Sequence, residues 1–158
     1  MRFILKFDGA DKVILTCLQS NANMPIAEIA EQVGLSISPC WRRIQLLEER
    51  GVIQKRVGLL SPEKLGLFMT VFVQVKAAKH DKVWLDKFAK HADSFAQVTE
   101  FYRMSGEYDY LLKVLVPDMA SFDTFYKRFV AGIDLQDVTS SFAMENIKYS
   151  TALPLDHL

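Results

Sequence analysis

The sequence has no apolar run as long as the ~18 residues that a membrane-spanning helix requires. Its start, Met1 to Lys6, is too brief for a signal peptide and lacks a small-residue cleavage site. There are two cysteines, Cys17 and Cys40, and both fall on predicted apolar helix faces. They are interpreted as small buried hydrophobic residues, not as a disulfide pair. We therefore expect a globular protein of the cytoplasm.

Groups that carry out catalysis are also scarce. The three histidines, His80, His91 and His157, are scattered and have no partner at the spacing of a metal site or a catalytic triad. No glycine-rich phosphate loop is present. Cys40 is predicted to face inward, whereas a reactive thiol needs an exposed, electropositive site. The sequence therefore predicts no enzyme, no cofactor and no metal.

Net charge is zero, but it is divided unevenly along the chain. Residues 1–60 carry eight basic and six acidic residues, and residues 61–158 carry eleven basic and thirteen acidic ones. This mild asymmetry allows the first part to bind nucleic acid. Because affinity grows with the number of phosphate contacts, a single copy would bind weakly, and we expect at least a dimer.

The stretch from Ser36 to Gly51 has the pattern of a short helix with an exposed basic face. Apolar residues at steps of three and four, Ile37, Cys40, Ile44 and Leu47, are predicted to face inward. Serines and helix N–H groups can hold phosphates, and arginine can address guanine edges. The candidate DNA-binding residues here are Ser36, Ser38, Pro39, Trp41, Arg42, Arg43 and Gln45. The alternative is an ordinary surface helix with solvated arginines.

Two further helices are predicted before this one, over Asp8–Asn21 and from Pro25 to Val33. The short link from Gly34 to Ser36 makes the second and third helices a helix-turn-helix. Residues 53–60 are predicted to be an extended strand, which would make the motif a winged one. Its central Lys55 and Arg56 are candidates for phosphate contact, or else belong to a solvated strand edge.

Residues 61–67 are interpreted as a linker, and residues 68–158 alternate between strand and helix. The predicted order is β-α-β-β-α-β, typical of a ferredoxin-like sheet with both helices on one face, so the fold class is α+β. The helix at Asp81–His91 is expected to bury Val83, Trp84 and Phe88. The helix-free face is also partly apolar, and a second copy of the chain would cover it most simply.

The turn Ser105–Asp109 is a candidate binding site for a free amino acid. A glycine turn can offer backbone N–H groups to a carboxylate, and Asp109 can accept from an ammonium group. The full candidate set is Met104, Ser105, Gly106, Glu107, Tyr108, Asp109, Thr139, Ser140 and Ser141. The alternative is that Gly106 and Asp109 only shape a β-turn.

The chain contains the runs AEIAEQVGLS at 27–36, PCWRRIQLLE at 39–48 and SGEYDYLL at 105–112. These runs resemble the Lrp/AsnC (feast/famine) family of transcription regulators. The resemblance implies a winged helix-turn-helix over 1–60, a linker over 61–67 and an effector-binding RAM domain over 68–158. It also implies double-stranded DNA as a partner, an amino-acid effector at the turn, and assembly into dimers and commonly octamers.

Two details qualify the resemblance. Many relatives have serine or threonine before the second helix, where this chain has Met24-Pro25, so the helix start is expected to differ. Residues 137–155, Trp41 and the MSGEYDY run at 104–110 resemble the branch associated with cysteine. The alternative function is an amino-acid-binding module that regulates a partner protein, with the helices of 1–60 serving as a protein contact.

Overall fold

The computed structural model describes residues 6–79 and 81–158, so His80 and the first five residues lie outside it. The described chain begins with three helices, α1 Gly9–Ser20, α2 Ile26–Val33 and α3 Ile37–Glu49, followed by a 3-10 turn at Glu63–Leu65. After these come β1 Met69–Ala77, α4 Lys82–Asp93, β2 Val98–Arg103, β3 Tyr110–Val116, α5 Met119–Ala131 and β4 Leu135–Phe142. The chain forms two compact units: a helical unit that ends at Leu59 and takes in Lys148–Leu158, and a sheet unit, Leu60–Ile147.

Helix ends in the helical unit are set by local hydrogen bonds. Asp8 and Asp11 form a capping box, in which each side chain accepts from the other's backbone N–H at the start of α1. Gly34 ends α2 in a left-handed conformation (φ 72°), which glycine adopts without a steric penalty. The predicted helix-turn-helix is therefore confirmed. As expected from Met24-Pro25, α2 begins without a side-chain cap.

The C-terminal tail belongs to the helical unit, although the sequence placed it with the second half of the chain. The side-chain amide of Gln19 on α1 donates to the carbonyl of Leu153 (3.1 Å) and accepts from its N–H (2.9 Å). The Lys12 ammonium lies 3.9 Å from a carboxylate oxygen of Asp156. The chain therefore passes from one unit to the other twice, once before and once after the sheet unit in sequence.

The sheet unit has four antiparallel strands in the order β2-β3-β1-β4, which confirms the ferredoxin-like prediction. Alternate residues of β1 and β3 pack against α4 and α5. The core comprises Val71, Val73, Val75, Ala77, Trp84, Phe88, Ala92, Phe95, Tyr110, Leu112, Val114, Val116, Phe122, Phe125, Phe129 and Ile133. In this β-α-β-β-α-β order both helices lie on one face of the sheet. The other face is therefore uncovered within this unit.

The uncovered face is mixed in character. It carries Thr70, Phe72, Gln74 and Lys76 of β1, with Leu111, Lys113 and Leu115 of β3. Phe72 is 37% exposed, and Leu111 and Leu115 are half-buried. The prediction of a partly apolar helix-free face is confirmed.

Three predictions about local structure are wrong. Residues 53–60 form no strand, because no other strand in the part of the chain that is described pairs with them. Ile37 was expected inside but is 57% exposed at the first position of α3. Val83 is 79% exposed at the start of α4, whose buried residues are Trp84, Phe88 and Ala92.

Of the helices described, none is long and apolar enough to cross a bilayer.

Candidate DNA interface and effector site

The exposed face of α3 carries most of the candidate DNA-binding residues. Ser36, Ser38, Pro39, Trp41 and Arg42 are all exposed, and Trp41 retains 48% of its accessible surface. Arg42 forms no ion pair with any described residue. No acidic residue lies in the first turn of α3, so its positive helix-dipole end is left unopposed. This end of the helix is suited to approach a polyanion.

Arg43 has a different role from its neighbour. Its Nη1 lies 2.8 Å from a carboxylate oxygen of Asp8 and 2.8 Å from one of Asp11, at the capped start of α1. The hydrogen bonds that Arg43 donates to the carboxylates of Asp11 and Asp8 raise the pKa of its guanidinium. Arg43 therefore links α3 to α1 through ion pairs, whereas the side chain of Arg42 is exposed.

The two basic residues after α3 also differ. The guanidinium of Arg56 donates to Glu48 at 2.7 and 3.1 Å and to the carbonyl of Ala22 at 3.4 Å. Gln45 donates to the other oxygen of Glu48 at 3.0 Å. Arg56 and Gln45 are thus held in a network at the C-terminal half of α3. Lys55 is exposed and forms no hydrogen bond or ion pair with a described residue.

The contact between Arg43 and the start of α1 leads to a pH prediction. The backbone N–H of Asp11, followed by Arg43, lowers the pKa of Asp8 below its ordinary 3.8. A lowered carboxylate pKa stabilises the fold above pH 3.8, and this contribution is lost as pH falls through the folded-state pKa. We expect Asp8→Ala to lower the melting temperature at pH 7, with a difference from wild type that shrinks towards pH 3.

Thermal melts of the full chain from pH 7 to pH 3 would measure this difference. Glu31→Gln, an exposed carboxylate change on α2, serves as the control and should show no such convergence. A difference for Asp8→Ala that stays constant with pH would contradict the assignment.

The predicted effector turn borders a surface depression of about 400 Å³ in the sheet unit. Its lining residues are Gln74, Met104, Ser105, Gly106, Glu107, Tyr108, Tyr110 and Leu111. Gly106 has a φ of 146°, a conformation that L side chains rarely adopt, and a Cβ there would meet no atom within 4 Å. The turn therefore needs glycine for its backbone shape, and its open side allows a ligand to approach.

Polar and aromatic groups surround this depression. The Lys76 ammonium lies 3.4 Å from a carboxylate oxygen of Glu107 and 5.0 Å from the centre of the Tyr108 ring. The Tyr108 hydroxyl is hydrogen-bonded to the Thr139 hydroxyl of β4 at 3.0 Å. A positive and a negative side chain therefore lie beside the turn. They suit the carboxylate and the ammonium group of a free amino acid.

The structure separates the remaining predicted effector residues. A carboxylate oxygen of Asp109 accepts from the N–H of Ala77 at 2.8 Å, next to the bulge between Lys76 and Ala77, and Asp109 is not among the lining residues. Ser140 pairs with Val73, so its side chain lies on the helix-covered face, where its hydroxyl is buried without a partner among described residues. Ser141 pairs with Phe72 on the uncovered face, as Thr139 does with Gln74.

Three lining residues were not predicted from sequence: Gln74, Tyr110 and Leu111. The register of β1 on β3 places Gln74 opposite Leu111 and Val75 opposite Tyr110. That register depends on contacts between distant parts of the chain, so no local sequence signal was available.

The side chains considered above for metal or nucleophilic chemistry have structural surroundings. No cluster of three metal-ligating side chains occurs among those residues. Both cysteines are buried, and burial raises the pKa of the Cys40 thiol. The ring of His91 packs on Phe95 and Phe129, and its Nε2 lies 2.8 Å from the Phe129 carbonyl oxygen.

Comparisons with known proteins identify the family of both parts of the chain. Residues 70–153 match the Lrp/AsnC ligand binding domain family, and residues 7–54 match the winged helix-turn-helix DNA-binding family. The chain is 47% identical to the glutamate uptake regulatory protein of Zymomonas mobilis over 96% of this chain and 93% of the relative. It is 45% identical to the DNA-binding transcriptional activator DecR of Escherichia coli over 94% and 99% of the two chains.

Solved structures give the same result. An AsnC family transcriptional regulator from Agrobacterium tumefaciens superposes with a TM-score of 0.93 at 52% identity, covering 96% of this chain and 99% of that one. A transcriptional regulator from Neisseria meningitidis, solved as a complex with L-Met, gives 0.91 at 35% identity, with the same coverage. These matches span both units and include the helix-turn-helix. The chain is a DNA-binding transcriptional regulator, not an enzyme, and it belongs to the Lrp/AsnC family.

Proposed function

We propose that a free amino acid binds at the depression beside the Ser105–Asp109 turn and changes DNA binding by the helical unit. The observation that carries this proposal is the glycine turn at an open depression that has Glu107 and Lys76 at its side. Backbone N–H groups of such a turn can hold a carboxylate, and Glu107 can accept from an ammonium group. The sequence-based division into residues 1–60, 61–67 and 68–158 is kept in this proposal as DNA binding, linkage and effector binding with oligomerisation, except that residues 148–158 belong to the helical unit and residues 61–67 to the sheet unit.

The side chain of the effector is proposed from the lining of the depression. Met104 and Leu111 offer apolar and sulfur contacts, while Tyr108 and Thr139 offer hydroxyls nearby. A small amino acid with a sulfur atom fits this combination, and L-Met is the ligand in the Neisseria meningitidis relative. We propose cysteine or methionine as the effector.

Isothermal titration calorimetry tests the site and its ligand together. Cysteine, methionine, leucine and asparagine are titrated into wild type, Glu107→Gln and Asp109→Asn. We expect a sulfur amino acid to bind wild type and to bind Glu107→Gln several-fold more weakly, because a charge-assisted hydrogen bond is lost. Asp109→Asn retains an oxygen that can accept from Ala77 N–H, so this variant reports the effect of the charge alone.

Binding to wild type with equal affinity in Glu107→Gln would remove this carboxylate from the site. A loss confined to Asp109→Asn would restore the role predicted for Asp109 from sequence. Failure of every amino acid to bind wild type would exclude the effector proposal, whereas DNA binding would be unaffected.

We further propose a homo-oligomer, at least dimeric and octameric at higher order, acting on operator DNA in the cytoplasm. The uncovered sheet face with Phe72, Leu111 and Leu115 supports an association between copies. Val57, Leu59 and Leu60 add exposed apolar surface on the unpaired stretch before the sheet unit.

Sedimentation measures the assembly directly. We expect wild type at micromolar concentration to sediment as a dimer or larger species without DNA. Phe72→Glu, which places a charge on the uncovered face, should shift the distribution towards monomer, and Val83→Glu on α4 is the control. A monomeric wild type would contradict the proposal.

A further inference from the structure

The first turns of α3 carry an apolar ridge that the polar contacts of DNA binding do not use. Ile37 is 57% exposed and Trp41 is 48% exposed. They are four residues apart, so their side chains are neighbours on the helix surface. Beside them, Ser38 and Arg42 form a parallel polar row at the same spacing. This surface can therefore form apolar contacts along one row and polar contacts along the other.

The position of this ridge on α3 and the charges along the helix indicate which groups the ridge contacts. In a helix-turn-helix the N-terminal residues of the second helix contact base edges in the major groove. Ile37 is the first residue of α3, and the helix has no acidic residue before Glu48. The only apolar groups on the major-groove edges are the C5-methyl groups of thymine. The face is therefore compatible with DNA and offers groups that match thymine.

We infer that Ile37 and Trp41 are specificity-determining residues that read thymine methyl groups in each operator half-site. The inference rests on the DNA-binding role of the helical unit. Arg42, in the adjacent row, is placed to contact a guanine edge or phosphate beside those thymines. Arg43 takes no part, because Asp8 and Asp11 hold its guanidinium.

Replacing thymine with deoxyuridine tests this directly, because it removes the methyl group and leaves base pairing intact. Duplexes are first selected from a random library by the full wild-type chain in amino-acid-free buffer. Each thymine is then replaced singly, and binding is measured by fluorescence anisotropy. We expect wild type to lose roughly fourfold in affinity for each methyl that is contacted, as burial of one such group is worth about that factor.

The variants assign each methyl to a side chain. Ile37→Ala should bind the thymine and deoxyuridine duplexes equally at one position, and Trp41→Ala should do so at another. Val83→Ala, at an exposed valine of α4, is the matched control and should keep the full wild-type sensitivity. Ile37 is 57% and Trp41 48% exposed, so thermal melts accompany both alanine variants to separate lost reading from lost stability. Ile37→Val should keep part of the sensitivity.

Several results would overturn the inference. Wild-type binding that no deoxyuridine substitution weakens would show that the methyl groups are not read. A loss that persists unchanged in both alanine variants would assign the reading to other residues. A uniform loss on all sequences in Trp41→Ala would place the ridge on the sugar-phosphate backbone. Selection of no duplex at all would refute both the inference and the DNA-binding role, whereas failure of amino-acid binding leaves this test unaffected.

Discussion

Arg42→Ala is expected to weaken binding to the selected operator by roughly 1–3 kcal/mol, which is the usual contribution of a specific arginine contact to a base. The side chain is exposed on α3 and forms no ion pair with a described residue, so its removal breaks no internal contact. The loss should therefore appear in affinity and not in the melting temperature. Fluorescence anisotropy at a fixed salt concentration of about 150 mM measures it, because phosphate contacts depend strongly on salt.

Two further variants, one at each arginine, distinguish a contact with DNA from a contribution to the stability of the fold. Arg42→Lys keeps the charge but cannot form a bidentate contact, so it should recover affinity for non-specific DNA more than for the operator. Arg43→Ala should lower the melting temperature, because the carboxylates of Asp8 and Asp11 lose their partner. If Arg42→Ala binds the operator as wild type does, α3 does not read DNA through this residue.

The contrast between these two arginines shows what sequence can predict. The repeat of apolar residues placed α3, its inward Cys40, Ile44 and Leu47, and an outward Arg42, because helical periodicity is a local property. The partners of Arg43 lie 32 and 35 positions earlier in the chain, at the start of α1. The sequence grouped Arg43 with the candidate DNA-binding residues, because no local pattern reveals partners so far away in the chain.

The prediction of a strand over residues 53–60 was wrong for a related reason. Its valine and leucine residues have strand character, but a strand exists only where another strand pairs with it. The chain supplies no such partner among the residues described. A local pattern therefore predicted an element whose formation depends on a non-local contact.

At the proposed effector site, the structure brings the predicted turn residues together at one depression but separates the predicted residues of β4. Met104 to Tyr108 line the depression because they are consecutive and belong to one turn. Thr139, Ser140 and Ser141 are consecutive too, but they lie on a strand, where successive side chains point to opposite faces. Only the register of β4 on β1 shows that Thr139 shares a face with Gln74 and that Ser140 does not.

Gly106→Ala is expected to weaken amino-acid binding by more than about tenfold, because an L residue at φ 146° is strained by the order of 1–3 kcal/mol. The turn would relax away from this shape, and the backbone N–H groups proposed to hold the ligand carboxylate would no longer converge. Since the turn is exposed and a Cβ there meets no neighbour within 4 Å, the sheet unit should remain folded. DNA binding by the ligand-free protein should also be retained.

Gly66→Ala is the matched control, since Gly66 also has a positive φ (79°) and open space around it but lies outside the depression. Calorimetry with the amino acid that binds wild type best compares the two variants, and thermal melts report the strain in each. Because both substitutions impose backbone strain, only a loss of ligand affinity specific to Gly106→Ala assigns the site to this turn. Equal ligand affinity in Gly106→Ala and wild type would show that the glycine only shapes a β-turn and that the effector binds elsewhere.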